Sequence, residues 1–284
     1  MVVRRAELSP LAQVMRRVDA IADGATHDSI STGFPSLDRL LGGGVRRGDL
    51  VVLGGDVGSG KSAFALALAL RVAQEGGVVS FRSGEMSVER VLERALALEG
   101  RARIDDMRRG SLDVAARAGV GAAAVRLRDR SPIFETVPAG GVEPLADMLR
   151  RALDVQLVIV DPLQSLAPGA RNQDEELAAA TRQLKLVALE LDVAILATSS
   201  LPGLVMDRRD LRPQLDDFGA LGAIKQHADV VLGLFREEMY GSPHGVEGAT
   251  EMAALKNRNG PTGYVDLYFY KQWMRFEDML DPDR

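Results

Sequence analysis

Apolar residues along the chain fall in short blocks, and the spacing inside the blocks changes from one to the next. LVVLG (Leu50 to Gly54), VVSFRS (Val78 to Ser83), LVIVD (Leu157 to Asp161) and VAILAT (Val193 to Thr198) are brief, nearly continuous and rich in β-branched residues, and predict strands. Between them, Lys61 to Glu75, Ser87 to Glu99 and a stretch from about Glu175 to Leu191 predict helices, the first closed by Gly76-Gly77 and the second by Gly100. Strands this continuous are buried on both faces, so the alternation implies an α/β fold with a parallel sheet between helices. Ahead of it, Leu11, Val14, Met15, Val18 and Ile21 recur at helical spacing within Ser9 to Ala22, and a polar stretch follows to Ser31. Residues 1–30 are therefore expected to form an N-terminal helix and linker, and residues 31–284 one domain.

The tail has a different pattern. ADVVLGLFR and EMAALKNRNGPTGYVDLYFY read as strands without helices between them, and Asn259-Gly260 is a hairpin signal. The mainly parallel sheet should end in an antiparallel extension.

Composition narrows the chemistry. With 35 Lys plus Arg against 40 Asp plus Glu, the net charge of -5 excludes nucleic-acid binding through global positive charge, though local basic loops stay possible. The absence of cysteine excludes disulfides, thiolate metal sites and a cysteine nucleophile. The longest apolar run, Ala63 to Ala73, falls short of the roughly 20 residues of a membrane span and reads as a buried helix. MVVRRAELSP lacks the apolar core of a secretory signal, so a cytoplasmic protein without membrane contact is expected. His27, His227 and His244 are too dispersed to imply a metal triad.

Three positions carry candidate chemistry. GGDVGSGKS places Gly55, Gly60, Lys61 and Ser62 in the pattern GxxxxGK[ST] between a predicted strand and a predicted helix. Backbone N–H groups of Gly55, Asp56, Val57, Gly58, Ser59, Gly60, Lys61 and Ser62 would then surround phosphate, with Lys61 as a cation toward the terminal phosphates and the Ser62 hydroxyl as a magnesium ligand. Asp161 ends an apolar strand, where a carboxylate can hold the magnesium shell; taken alone, an Asp at a strand end is better explained by structure, and together with the phosphate loop the balance reverses toward function. Glu85 follows the second strand and can activate a water, and it can equally serve as an acid at a helix N-terminus.

TGFPSLDRLLGGGVRRGDLVVLGG, GSGKS, SGEMS, IVDPLQSL, GAIKQHADVVLGLFREEMY, KNRNGPTGYVDLYF and RFE, in that order, resemble the C-terminal ATPase domain of DnaB-type replicative DNA helicases, over Ser31 to Glu277. The resemblance implies a RecA-like P-loop NTPase that assembles into a homo-oligomeric ring, usually of six, with ATP and magnesium between subunits. It puts the catalytic base on Glu85, the magnesium-supporting acid on Asp161, and on Lys256 and Arg258 the cations that reach the neighbour's nucleotide. Edge-strand charges that discourage aggregation remain the other reading of that pair. Ser9 to Ala22 would match the linker helix that docks on the next subunit. STGFPSLDRLLGGGV, GGDVGSGKS, SGE and KNR are also similar to RadA and KaiC-type ATPases, but the ending through RFE sides with DnaB.

The chain departs from the family at several points. No segment the size of the primase-engaging domain precedes Ser31, so primase binding is not expected. The family's Ser-Gln-Leu stands here as Ser199-Ser200-Leu201, and a basic residue of its DNA-contacting block is replaced by Gly219 within DFGALG. Arg171, Arg208, Arg209 and Arg212 lie in neighbouring loops and can contact DNA phosphates, although Asp207 and Asp210 partly cancel that charge. Two functions are implied: an ATP-driven helicase moving on single-stranded DNA, or a ring ATPase without unwinding activity that switches a protein assembly. Trp273 packs near the base or closes the hairpin, and packing is the preferred expectation.

Overall fold

The computed structural model describes residues 9–22, 29–152, 154–167, 169, 172–202, 204, 207–241 and 245–279. The expected first helix is α1 (Pro10–Ala22), and Leu11, Val14, Met15 and Val18 on it are exposed. A short ribbon, β1 (Ser29–Ile30) with β2 (Val45–Arg46), brackets α2 (Pro35–Leu41). The alternating part then runs β3 (Leu50–Gly55), α3 (Lys61–Gln74), β4 (Val79–Ser83), α4 (Val88–Gly100), α5 (Ile104–Arg109), α6 (Val114–Asp129), β5 (Ile133–Thr136), α7 (Val142–Arg151), β6 (Leu157–Asp161), α8 (Gln173–Leu191) and β7 (Ala194–Ser199). After a long connection come α9 (Ala223–His227), β8 (Val230–Phe235), β9 (Ala249–Asn257), β10 (Gly263–Tyr270) and β11 (Arg275–Asp278).

These strands form one sheet in the order β11-β10-β9-β8-β3-β7-β6-β4-β5. From β5 to β8 every pairing is parallel, and β9, β10 and β11 add antiparallel neighbours, so the expected extension is present. Val231 stands opposite Lys256 but Leu232 opposite Ala254, which leaves Leu255 as the extra residue of a bulge just before the hairpin.

The core lies on both faces of the sheet. On one face α3 is buried almost all round, as its continuous AFALALALRVA run requires, and Phe34 stacks on Phe64 at 4.8 Å while Phe276 stacks on Phe269 at 4.4 Å. Arg71 of α3 ties three distant segments together: it donates to the carbonyls of Gly33 (2.5 Å) and Phe276 (3.0 Å) and to Glu277 (3.0 Å). The opposite face is built from Leu145 and Leu149 of α7, Leu177 and Leu184 of α8, and Ile224 of α9.

Between Arg101 and Gln156 no element was expected, and the structure supplies four. The helix α6 is made largely of alanine and glycine with only Ala123 and Leu127 buried, so its apolar periodicity is faint. β5 is an edge strand with no residue fully buried. By contrast Val142, Leu145, Ala146 and Leu149 of α7 do recur at helical spacing, a signal that is legible in the sequence.

Candidate active site

The phosphate-loop sequence forms the turn between β3 and α3. Gly60 adopts φ +106°, and a Cβ there would stand 2.9 Å from the Phe276 ring, so both backbone and space demand glycine. The Lys61 ammonium curls back over the loop and donates to the carbonyls of Gly55 and Asp56, each at 2.9 Å. Burial lowers its pKa, opposed by the carboxylates of Asp161, Asp56 and Glu85. Val57 at the tip is exposed, Gly58 lines the adjoining cleft, and the Ser59 hydroxyl is buried without a hydrogen-bond partner.

Asp161 is 3% exposed at the end of β6, and its Oδ1 accepts from Ser62 Oγ at 3.0 Å and from Thr198 Oγ1 at 2.5 Å. Parallel pairing of β6 with β7 and of β7 with β3 brings these three residues to the same edge. Glu85 lies on the turn between β4 and α4 and is exposed. That turn is held by Gly84 N–H donating to the Asp161 carbonyl at 2.8 Å and by Ser83 Oγ donating to the Met86 carbonyl at 2.8 Å. Glu85, Lys61 and Ser62 line one open cleft, together with Arg94, Phe269 and Met274, which sequence reasoning did not single out.

Two further residues brace the loop from the turn that follows β8. Arg236 donates to the Gly58 carbonyl at 3.2 Å and lies over the Phe269 ring at 4.7 Å. Tyr240 donates to Asp56 Oδ2 at 3.2 Å, and burial together with that carboxylate pushes its pKa up to about 12. Both belong to the LFREEMY block, which marks them only through the resemblance.

Lys256 and Arg258 are not part of this cluster. They lie at the β9–β10 hairpin, Lys256 opposite Val231 and Arg258 bonded through its N–H to the Asp229 carbonyl, whereas the phosphate loop leaves β3 at the level of Leu234. Along the sheet that is about 10 Å for Lys256 and about 16 Å for Arg258, at roughly 3.3 Å per residue. Lys256 Nζ donates to the carbonyls of Ala228 (2.6 Å), Lys225 (2.8 Å) and Gln226 (3.3 Å) at the end of α9. Burial, and then the nearby Arg258, lower its pKa. Arg258 Nη1 lies 3.2 Å from Asp229 Oδ1.

The candidate DNA-contacting arginines divide. Arg208 makes a two-pronged pair with Asp217 (2.8 and 2.9 Å), and Arg212 another with Glu251 (2.6 and 2.7 Å). Those two guanidinium groups thus hold their own loop in place, while Arg209 beside them is exposed. Arg171 lies outside the described residues, as do His27 and His244. Gly219 has φ +64° and ψ −135°, and a Cβ would come 2.8 Å from Pro202, so no basic side chain fits this backbone. Trp273 stacks on Tyr270 at 5.4 Å and lines a separate cleft with Arg101, so it packs on the end of β10.

With this geometry in place, comparison with known proteins is decisive. A family model described as the DnaB-like helicase C-terminal domain matches residues 29–278. The chain belongs to the DnaB-like helicase family. It is 32% identical to the replicative DNA helicase DnaB of Geobacillus stearothermophilus over 88% of this chain and 56% of the relative. With its Pasteurella multocida counterpart it shares 32% identity over 95% of this chain and 60% of the relative. Among solved structures, a DnaB-like replicative helicase, solved with its interactions with primase, superposes with a TM-score of 0.85 at 26% identity, over 95% of this chain and 66% of the other. A second solved structure, of an isolated ATPase domain, gives 0.86 at 25% identity, covering 96% of this chain and 100% of that one. The chain thus spans a little over half the length of the curated relatives, in the part that forms the RecA-like ATPase domain. Among the described residues no helix is long and apolar enough to cross a membrane.

Proposed function

We propose that the chain is the ATP-hydrolysing motor of a DnaB-type ring helicase, usually of six subunits, that moves on single-stranded DNA. The observation that carries this reading is the division of charged groups between the two edges of the sheet. Lys61, Ser62, Asp161 and Glu85 gather at one edge, while Lys256 and Arg258 stand toward the other, with Lys256 held on the carbonyls at the end of α9 and Arg258 on Asp229. A second copy can bring that pair to the phosphates, so hydrolysis depends on assembly.

The residues fit such a reaction. The phosphate loop binds the triphosphate through backbone N–H groups and the Lys61 ammonium, once Lys61 exchanges its carbonyl partners for phosphate oxygens. Ser62 and Asp161 offer the hydroxyl and carboxylate oxygens that suit magnesium, a hard cation that keeps much of its water and binds through one or two carboxylates. When bound, the metal neutralises charge developing on the phosphates. Glu85 orients a water in the cleft and accepts its proton. Arg258, with Lys256, supplies positive charge to the transition state in the neighbouring subunit. The exposed apolar residues of α1 suit the N-terminal helix and linker of residues 1–30, docked on another subunit.

The test measures ATP turnover with and without single-stranded DNA, then mixes two inactive variants. DNA should stimulate the wild type, and strand binding should weaken steeply with salt. Lys61→Ala and Arg258→Ala should each be inactive alone, and activity should return when their subunits are mixed before assembly. No response to DNA and no strand binding at low salt would remove the motor reading; failure of the mixture to recover would remove the shared site.

A further inference from the structure

Buried charge accumulates at the edge of the sheet opposite the phosphate loop. Asp229, just before β8, is 2% exposed. Its Oδ2 accepts from the Leu50 N–H at 2.8 Å and from Lys185 Nζ at 2.6 Å, and Lys185 also donates to the Gly48 carbonyl at 2.8 Å. Its Oδ1 faces Nη1 of Arg258 at 3.2 Å. The same two residues meet through the backbone, where Arg258 N–H donates to the Asp229 carbonyl at 2.8 Å, and Arg258 Nη2 stands 3.4 Å from the Gln226 carbonyl.

The two ends of this pair differ in surroundings. Asp229 is sealed inside, while the Arg258 side chain is half exposed and faces outward. An exposed ion pair holds a long side chain poorly, because solvent screens it and both partners keep their freedom. A carboxylate that is itself fixed by a backbone N–H and a second cation cannot move, so it restrains the arginine that leans on it. An arginine that must meet a phosphate across an interface gains most from being held in place before the encounter.

We infer that Asp229 is a positioning residue for the guanidinium that Arg258 presents to the neighbouring subunit's nucleotide, with Lys185 balancing its buried charge. This rests on the shared-site reading above. Asp229 touches no nucleotide in either subunit; it acts through Arg258 alone.

The experiment uses the full chain and steady-state ATP hydrolysis. Asp229→Asn keeps an acceptor for the Leu50 N–H and removes the anion. We expect kcat to fall about 10- to 100-fold, the usual cost of losing a supporting partner, with KM changed less than about threefold. Because the damaged group serves the next subunit, mixing Asp229→Asn with Lys61→Ala before assembly should raise turnover per Asp229→Asn subunit. Wild-type kcat, or a loss that the mixture does not relieve while Arg258→Ala is relieved by the same partner, overturns the assignment. If Arg258→Ala is itself not relieved, the shared-site reading falls and this inference with it. Should Asp229→Asn not fold, the double variant Asp229→Asn, Lys185→Met removes both buried charges. The same relievable loss of kcat in that variant supports positioning, and full activity overturns it.

Discussion

The Ser62 hydroxyl donates to Asp161 Oδ1 at 3.0 Å, joining the first turn of α3 to the end of β6. Thr198 of β7 donates to the same oxygen at 2.5 Å, so the aspartate is locked by hydroxyls from two elements while its charge faces the phosphate loop. Asp161→Asn preserves the shape and removes the charge. Hydrolysis should fall about 100- to 1000-fold, the cost of losing one preorganised electrostatic group. Nucleotide affinity should also lose its dependence on magnesium, read by titrating a fluorescent nucleotide with the metal and again with a chelator. A metal dependence like that of the wild type would show that Asp161 is only a strand-end acid.

Glu85 is exposed on the turn after β4, and that turn is held by Ser83 and by the Asp161 carbonyl. Glu85→Gln should therefore leave folding and nucleotide binding intact and lower kcat about 100- to 10,000-fold, the range for losing a general base. Equal losses in binding and turnover would contradict the assignment.

Arg71 binds α3 to the Gly33 turn and to β11, and its guanidinium lies 4.1 Å from the centre of the Phe34 ring. Replacing it with alanine leaves two carbonyls and Glu277 without this donor. The expected loss is about 2–4 kcal/mol, since hydrogen bonds from charged groups contribute more than neutral ones. Urea unfolding measures it as a lower midpoint at unchanged slope. A midpoint like that of the wild type would mean that water replaces the donor without cost.

Burial, reinforced by Asp229, raises the pKa of Asp49 from 3.8 to about 6, against the opposing cations Lys185, Arg46 and Arg258. The folded chain therefore holds this proton more tightly than the unfolded chain. The stability it contributes is complete below pH 3.8 and is lost as pH rises through about 6. Asp49→Asn keeps an acceptor for Asn259, which donates to Asp49 at 3.0 Å. At pH 7.5 the variant should be more stable by about 1 kcal/mol, after allowing for solvent screening of a partly buried group. Near pH 4 the two proteins should unfold alike. Denaturant titrations at the two values decide, and a gain of equal size at both would point to a cause other than this carboxylate.

Recognition in the sequence was strongest where the signal is local. The strands around Leu50, Val79, Leu157 and Ala194, and the helices that follow three of them, were readable because burial on both faces leaves an unbroken apolar run. The hairpin at Asn259-Gly260 was readable from its turn residues. Between Arg101 and Gln156, α6 and β5 bury few of their residues, so they left faint patterns. Arg94 and Met274 of the cleft had no sequence signal of their own, since each becomes relevant only through what folds beside it.

The order of elements along the chain and the phosphate-loop pattern follow from the sequence alone, because each depends on residues within a few positions of one another. The meeting of Lys61, Glu85 and Asp161 at one edge depends on parallel pairings between strands far apart in the chain, and only the folded sheet establishes it. The same holds for the placement of Lys256 and Arg258 at the far edge, and for the pairing of Arg208 and Arg212 with carboxylates of their own domain. A charged side chain carries no mark of its partner; that is decided by which backbone segments pack together, and burial then determines how strongly each pair is held.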